Sequence, residues 1–277
     1  KGRSLEAITP SGREVLAHAR RVLAEAGNIR AFAANQRGET QGRLTLVTTH
    51  TQARFVLPPA IAALARRFPD VSIHLQPASE GEALNALAQG QADFAVVSTA
   101  GDTPPGGLAV PLYRWRRQVL VPAAHPLAKL DRAPTLAELA ALPLISYEST
   151  NKPESSLRRA FSEAGLEPQI AMTARDADLI KTYVRAGLGV GLLAEMAVSL
   201  RDDGDLKALA APAAIPECTS WAVLPRERVL RDYALELLLA LAPQLDRSDL
   251  KRAVAGHDSP AWPWPPTWVD LSQAITN

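Results

Sequence analysis

Hydrophobic and polar positions along the chain follow two rhythms. In "ITPSGREVLAHARRVLAEAGNIRAFAANQRGET", Leu16, Ala19, Val22, Leu23, Ala26, Ile29 and Ala33 recur at spacings of three and four, which places them on one face of a helix. Thr9 is a good N-cap and Pro10 suits the first helical position. The pattern therefore predicts one helix of about 25 residues, stopping before the polar linker "NQRGETQG". An apolar stripe of that length needs cover. It is either a core element of its own domain or a dimerisation arm, and the absence of a second helix ahead of the linker favours the arm.

After the linker the rhythm changes to alternating strand and helix. "RLTLVTT" reads as a strand, "FVLPPAIAALARRFP" as a helix, "VSIHLQP" as a strand, "EGEALNALAQG" as a helix and "ADFAVVST" as a strand. Two strand-like runs follow in "LAVPLYRWRRQVLVPAAHPLA", then a helix and strand in "TLAELAALPLISY". A second round comes next: helix "SSLRRAFSEAG" capped by Ser155, strand "QIAMTA", helix "DADLIKTYVRAG" capped by Asp176, and strand "VGLLAE". A strand, "CTSWAVLP", and a long amphipathic helix, "RVLRDYALELLLALAPQL", close the pattern. This is the α/β signature of two similar halves in tandem. The expected organisation is an arm over residues 9–40, a first half over 41–113 completed by 217–245, a second half over 114–216, and a tail over 246–277. The tail, rich in Pro and Trp, is expected to be extended, with Trp262, Trp264 and Trp268 packed on the surface.

Composition narrows the classes. With 277 residues, 47% of them hydrophobic, the chain can bury an ample core. Thirty Lys and Arg against 29 Asp and Glu give a net charge of +1, so it is not the strongly basic object that binds nucleic acid over its whole surface. The single cysteine, Cys218, excludes an internal disulfide and a multi-Cys metal site, and reads as a small buried hydrophobe. No apolar run approaches the roughly 20 residues that span a bilayer, and "KGRSLEAITPSG" lacks a secretory h-region. The expectations are a cytoplasmic location, no membrane partner, and a fragment of a longer protein.

The candidate chemistry lies where strands give way to helices. In open α/β sheets ligands bind beyond the carboxyl ends of strands, where helix N-termini present unpaired N–H groups. At the first such junction, "VTTHTQARF", Thr48, Thr49, Thr51 and Gln52 offer hydroxyl and amide donors suited to a small oxyanion. The plainer alternative is one capping Thr and a solvent-facing loop. "VVSTAGD" adds Ser98 and Thr99; "ISYESTNKPESS" adds Ser146, Ser149, Thr150, Asn151 and Lys152; "MTARDADLIKTY" adds Thr173, Arg175 and Asp176. Four donor-rich junctions on two halves that face each other describe a clamp for a small molecule. Catalytic signals are missing: there is no GxSxG elbow and no Walker A loop, and "GLGVG" falls short of GxGxxG. No acid or His grouping has metal-ligand spacing, His74 reads as an ordinary strand residue, and no cofactor is implied.

These segments resemble a known family. "TPSGREVLAHARRVLAE" is similar to the end of the winged helix-turn-helix and the linker helix of LysR-type transcriptional regulators, which makes residues 1–8 the end of the DNA-binding wing. "LPPAIAALARRFPDVSIHLQPA", "GQADFAVVS", "HPLA" and "VRAGLGVGLLAEMAV" resemble their effector-binding domain. "TTHTQARFVLP", "YRWRRQVLVPAAHPL" and "DADLIKTYVRAGLGVG" look closest to the CysB/Cbl branch, which controls sulfur assimilation.

The resemblance implies an α/β fold of two Rossmann-like subdomains joined by two crossover strands, like a periplasmic binding protein, behind a long linker helix. It implies a homodimer or tetramer, promoter DNA bound only through an N-terminal domain ahead of this sequence, and a small effector: a sulfate-like anion, another sulfur metabolite or an acetylserine-like one. Thr49, Thr51 and Gln52 would hold a sulfate-like group, with Thr99 facing it. Where the branch has further threonines this chain has Lys152, with Ser149 and Thr150 close by, and Arg175. Two cations there favour a larger or more charged effector, a sulfonate or an adenylyl sulfate. A solute-binding protein for a small anion is the rival reading, and an anion-handling enzyme the third.

Overall fold

A computed structural model of the chain describes residues 8–199, 203–257 and 261–276; the wing expected over residues 1–8 lies outside the described residues except for Ile8. Helix α1 runs Pro10–Gln36, with the Thr9 hydroxyl accepting from Gly12 N–H and Pro10 in the first turn. Its stripe is bare for most of its length: Val22, Leu23, Ile29 and Phe32 are all more than half exposed. Only its C-terminal half touches the body, through two asparagines seven residues apart and hence on one face. Asn28 donates to Glu227 O (2.7 Å) and accepts from Val229 N–H (2.9 Å). Asn35 donates to Leu230 O (2.8 Å) and accepts from Asp232 N–H (3.3 Å).

Two five-stranded sheets follow. In lobe I, β1 (Gly42–Thr48) pairs in parallel with β2 (Val71–Pro77) and β3 (Phe94–Thr99). The strands β4 (Leu108–Trp115) and β10 (Cys218–Leu224) complete it antiparallel, in the order β2-β1-β3-β10-β4. Lobe II repeats this plan as β7-β6-β8-β5-β9, with β5 (Arg117–Pro122), β6 (Pro143–Tyr147), β7 (Gln169–Ala174), β8 (Val190–Ala194) and β9 (Leu206–Ala210). The chain crosses between lobes twice, at Arg116 between β4 and β5 and over residues 211–217 between β9 and β10. Two lobes joined by two crossover segments are the architecture the resemblance implied.

Each sheet is covered on both faces, which the near-continuous apolar runs of its inner strands require. The larger face of lobe I packs α3 (Leu57–Arg67) and α8 (Asp232–Leu241), whose Leu235, Leu237, Leu238 and Leu241 are all buried. Its other face packs α4 (Glu80–Ala88) through Ala83 and Leu87. In lobe II, α6 (Ser156–Glu163) and α7 (Ala177–Arg185) take opposite faces, beside the short α5 (Leu136–Ala140). The "GLGVG" run ends α7 and enters β8. Gly187 has φ +77°, and a Cβ on Gly189 would meet Pro143 O at 2.3 Å, so the turn and the close strand approach both demand glycine.

The structure departs from the sequence pattern in three places. The polar junction after β1 is itself helical, α2 (His50–Phe55), and breaks at Val56 before α3, whose first turn carries Pro58 and Pro59; their missing N–H groups and rings are tolerated at a helix start and disfavour one continuous helix. The strand β9, five residues long, carries no strong alternation and was not expected. The tail is built in rather than merely extended: α9 (Arg247–Val254) and α10 (Trp268–Thr276) flank an extended stretch, and Leu271 is buried in the lobe I core.

Candidate functional site

Between the lobes lies a cleft of about 710 Å³. Helix α2 forms one wall at the end of β1. Thr49 is its N-cap residue by position, in extended backbone (φ −73°, ψ 155°), but its hydroxyl makes no capping bond. The contrast with the neighbouring helices is sharp. Ser79 caps α4 through Glu82 N–H, Ser155 caps α6 through Arg158 N–H, and Asp176 caps α7 through Leu179 N–H. The first N–H groups of a helix have no acceptor within it, so α2 leaves its His50, Thr51 and Gln52 amides and the Thr49 hydroxyl open.

What holds α2 there is a neutral buried network. The Gln52 amide donates to Ser98 Oγ (3.2 Å) and Ser220 Oγ (3.1 Å), and its carbonyl oxygen accepts from the Tyr113 hydroxyl. Ser98 also accepts from Trp115 Nε1 (3.2 Å). Burial pushes the Tyr113 phenol well above its ordinary pKa, so it remains a donor. Gln52, expected to grip the ligand by its side chain, has that side chain fully engaged and anchors the helix instead.

The other expected residues divide in the same way. Thr99 gives its proton to Asp102 O and accepts from Trp221 Nε1 (2.9 Å). Thr150 is buried and donates to Ser146 Oγ (3.2 Å), which in turn donates to Leu192 O (2.9 Å). Arg175 lines the cleft but is ion-paired, with Glu148 at 3.0 Å and with Glu82 of the opposite lobe at 3.9 Å. Thr49, Ser149 and Lys152 also line it, and none of their side chains has a hydrogen-bond or ion-pair partner among the described residues. Thr51 donates to the Tyr147 hydroxyl across the lobes (3.2 Å).

Two contributors, Tyr147 and Arg117, went unnoticed in the sequence, and His50, part of the polar run after β1, was not counted among the binding residues. Tyr147 accepts from Thr51 and from Ala194 N–H (3.1 Å), which leaves its own proton without an acceptor among the described residues; burial raises its pKa and keeps that proton in place. Arg117 sits half-buried on the floor at the first crossover, donating to Ser156 Oγ (3.0 Å) and Pro216 O (3.5 Å), with no ion pair to a carboxylate among the described residues. His50 opens α2 and lines the same wall. Tyr147 ends β6, and Arg117 begins β5 in the run "YRWRRQ"; strand-end position was the available signal, but which of three neighbouring arginines turns inward is not written in the run.

Four basic side chains, Arg117, Lys152, Arg159 and Arg175, and four carboxylates, Glu80, Asp102, Glu148 and Glu154, line the cleft, so its net charge selects nothing. Selection comes from which groups are free. The open donors of α2, the Tyr147 proton and the Lys152 ammonium suit an oxyanion. Glu80, whose pKa burial raises against the pull of Lys152, suits a hydroxyl or ammonium elsewhere on the same ligand. Among the described residues no group of His, Cys, Asp or Glu could hold a metal ion. No described helix is long and apolar enough to cross a membrane.

Two lobes around a cleft lined with open donors define a class of small-molecule-binding domain; residues 37–246 match the LysR substrate binding domain, and the chain belongs to that family. It is 37% identical to the HTH-type transcriptional regulator CysB of Haemophilus influenzae over 258 residues, 93% of this chain and 79% of that protein. It is 36% identical to the HTH-type transcriptional regulator cbl of Escherichia coli over 254 residues, 92% of this chain and 80% of that protein. The cofactor-binding domain of the Cbl transcriptional regulator superposes with a TM-score of 0.71 at 35% identity, covering 78% of this chain and 95% of that one. The relatives are transcriptional regulators, and this chain is a regulator's effector-binding domain rather than an enzyme.

Proposed function

We propose that this chain senses a sulfur metabolite carrying a sulfonate or sulfate group, and through it regulates genes of sulfur metabolism. One observation carries the reading: α2 presents three amides and the Thr49 hydroxyl in the cleft with no partner among the described residues, opposite Lys152, whose ammonium acts on Glu80 but makes no hydrogen bond or close ion pair there. Uncharged hydroxyls and amides suit a tetrahedral oxyanion that stays ionised at all working pH values. The cleft's 710 Å³ lies within the roughly 300–1,000 Å³ of sites for drug-sized ligands, far more room than bare sulfate needs. An alkanesulfonate or an adenylyl sulfate fits that room and charge better than sulfate or acetylserine.

As in a regulator of the helix-turn-helix type to which the relatives belong, promoter DNA is read by a winged helix joined to α1, in the cytoplasm. The bare face of α1 pairs with a second copy, as its exposed Val22, Leu23, Ile29 and Phe32 favour. The solute-binding alternative has no support among the relatives compared.

Thermal-shift titration with sulfate, an alkanesulfonate, adenosine 5′-phosphosulfate and O-acetylserine tests the reading. A ligand at 100 times its Kd adds about 2.7 kcal/mol of stability. The expected order is phosphosulfate or sulfonate first, and the shift is expected to vanish in Thr49→Ala/Lys152→Ala. A larger shift with O-acetylserine than with every oxyanion would overturn the assignment.

A further inference from the structure

The LysR domain match ends at residue 246, yet the chain beyond it is bound into lobe I at the two points that matter most for the cleft. The first is the hinge. β4 is the edge strand of its sheet, and residues 265–267 lie along it: Arg114 N–H donates to Pro266 O (2.8 Å), Arg114 Nε to Pro265 O (3.0 Å), and Arg114 bridges Thr267. The Arg114 guanidinium stacks over the Trp264 ring at 4.9 Å. It also pairs with Glu217 at 2.6 Å, and Glu217 takes Arg116 with its other oxygen at 3.2 Å. Arg116 is the first crossover and Glu217 ends the second, so the tail grips the place where both meet.

The second point is the floor beneath α2. Trp268 packs on Tyr113, ring centroids 5.5 Å apart and planes 53° inclined. Tyr113 is the donor to the Gln52 carbonyl oxygen, and the Gln52 amide ties α2 to Ser98 and Ser220. A continuous run of contacts therefore leads from the tail to the helix that carries the open donors. Covering an edge strand would explain the hydrogen bonds to Arg114 alone. It does not explain an aromatic ring set against the one phenol that holds Gln52.

We propose that Trp268 is a positioning residue for the effector cleft: through Tyr113 and Gln52 it sets α2, while Trp264, Pro265 and Pro266 fix the crossovers through Arg114. The tail thus tunes effector affinity without touching the effector. This regulatory role rests on the cleft being the effector site; the packing relation between tail and α2 does not.

The test compares the full 277-residue chain with Trp268→Ala, Trp268→Phe, Tyr113→Phe and the Trp268→Ala/Tyr113→Phe double variant. Amide hydrogen exchange needs no ligand. Trp268→Ala should speed exchange in residues 50–55 and 216–220 as well as 111–115, leaving β6 to β8 unchanged, and Trp268→Phe should restore the wild-type pattern. Tyr113→Phe keeps the ring and the fold; it should speed exchange in residues 50–55 with the tail's own protection intact, which a purely structural role would not do. Calorimetry with adenosine 5′-phosphosulfate should show Trp268→Ala and Tyr113→Phe each weakened at least threefold, Trp268→Phe close to wild type, and the double no weaker than the worse single, as expected when two residues act through one path. Acceleration confined to residues 111–115 and 261–276, with affinity unchanged, would reduce the tail to an edge cover and overturn the proposal. If wild-type chain binds no sulfur oxyanion, the effector assignment fails, and the exchange data still decide whether the tail sets α2.

Discussion

Lobes I and II share a strand plan but handle polar groups in opposite ways. Lobe II engages many of its donors internally: Thr150 with Ser146, Asn151 with Thr173 (3.0 Å), and α6 and α7 capped by Ser155 and Asp176, while Tyr147, Ser149 and Lys152 keep donors open to the cleft. Its interior holds charge, with Lys181 and Asp203 both nearly fully buried at 2.7 Å and Arg185 joining Asp203 at 2.9 Å. Lobe I holds its cleft wall with a neutral network and leaves the first turn of α2 open. A duplicated fold can therefore differ at its cleft faces, one lobe presenting the open first turn of α2 and the other a counterface bearing Lys152. Duplicated topology does not imply duplicated binding.

The largest effect that would break this comparison is in lobe II. Asp203→Ala takes from the buried Lys181 ammonium its 2.7 Å partner and leaves it the part-exposed Asp178 at 4.0 Å, which costs about 3 kcal/mol, a fall in Tm on the order of 10 °C by calorimetry. Burial alone would raise the Asp203 pKa, but hydrogen bonds from Lys181, Ser199 N–H and Arg185 outweigh it and hold it below the usual value. The group then stabilises the fold above its unfolded pKa and loses that contribution as pH falls through the folded one. Asp203→Ala should accordingly lose its penalty, relative to wild type, only in strong acid.

Next come two threonines that look alike in sequence. Thr49→Ala should weaken oxyanion binding about tenfold or more with little change in Tm, since a hydrogen bond to a charged group is worth about 1.5–3 kcal/mol. Thr150→Ala should do the reverse, lowering stability by about 1 kcal/mol and leaving affinity nearly intact. Equal losses of affinity in calorimetry would erase the division between lobes.

Smaller still is Arg54→Ala, which removes the exposed inter-lobe pair with Asp178 at 2.5 Å. It should change stability by less than about 1 kcal/mol, and the difference should fade in high salt. The smallest effect is Glu80→Gln. Its raised pKa means the wild-type side chain contributes stability below its unfolded pKa and loses it as pH rises through the folded value. The variant should melt about 1–3 °C higher at pH 7, with the gap closing near pH 4.

Much of this molecule was legible without coordinates. Helix caps and strand runs are local: Thr9, Ser155 and Asp176 each satisfy a donor three residues ahead, and the buried runs of β1, β3 and β8 follow from composition within single segments. The donor-rich junctions were readable for the same reason. What local pattern misses is β9, too short to show a period, and a tail whose Trp and Pro residues look like surface until Trp268 and Leu271 meet the core.

The sequence by itself determined where strands end, which residue types gather there, and the family to which the chain belongs. Only the tertiary structure decided which of those donors are free. Gln52 finds partners at Ser98 and Ser220, 46 and 168 positions away, Thr99 meets Trp221 122 positions away, and Arg175 meets Glu148 and Glu82. A hydrogen bond depends on distance in space between specific atoms, and separation along the chain sets no such distance once the backbone folds back on itself.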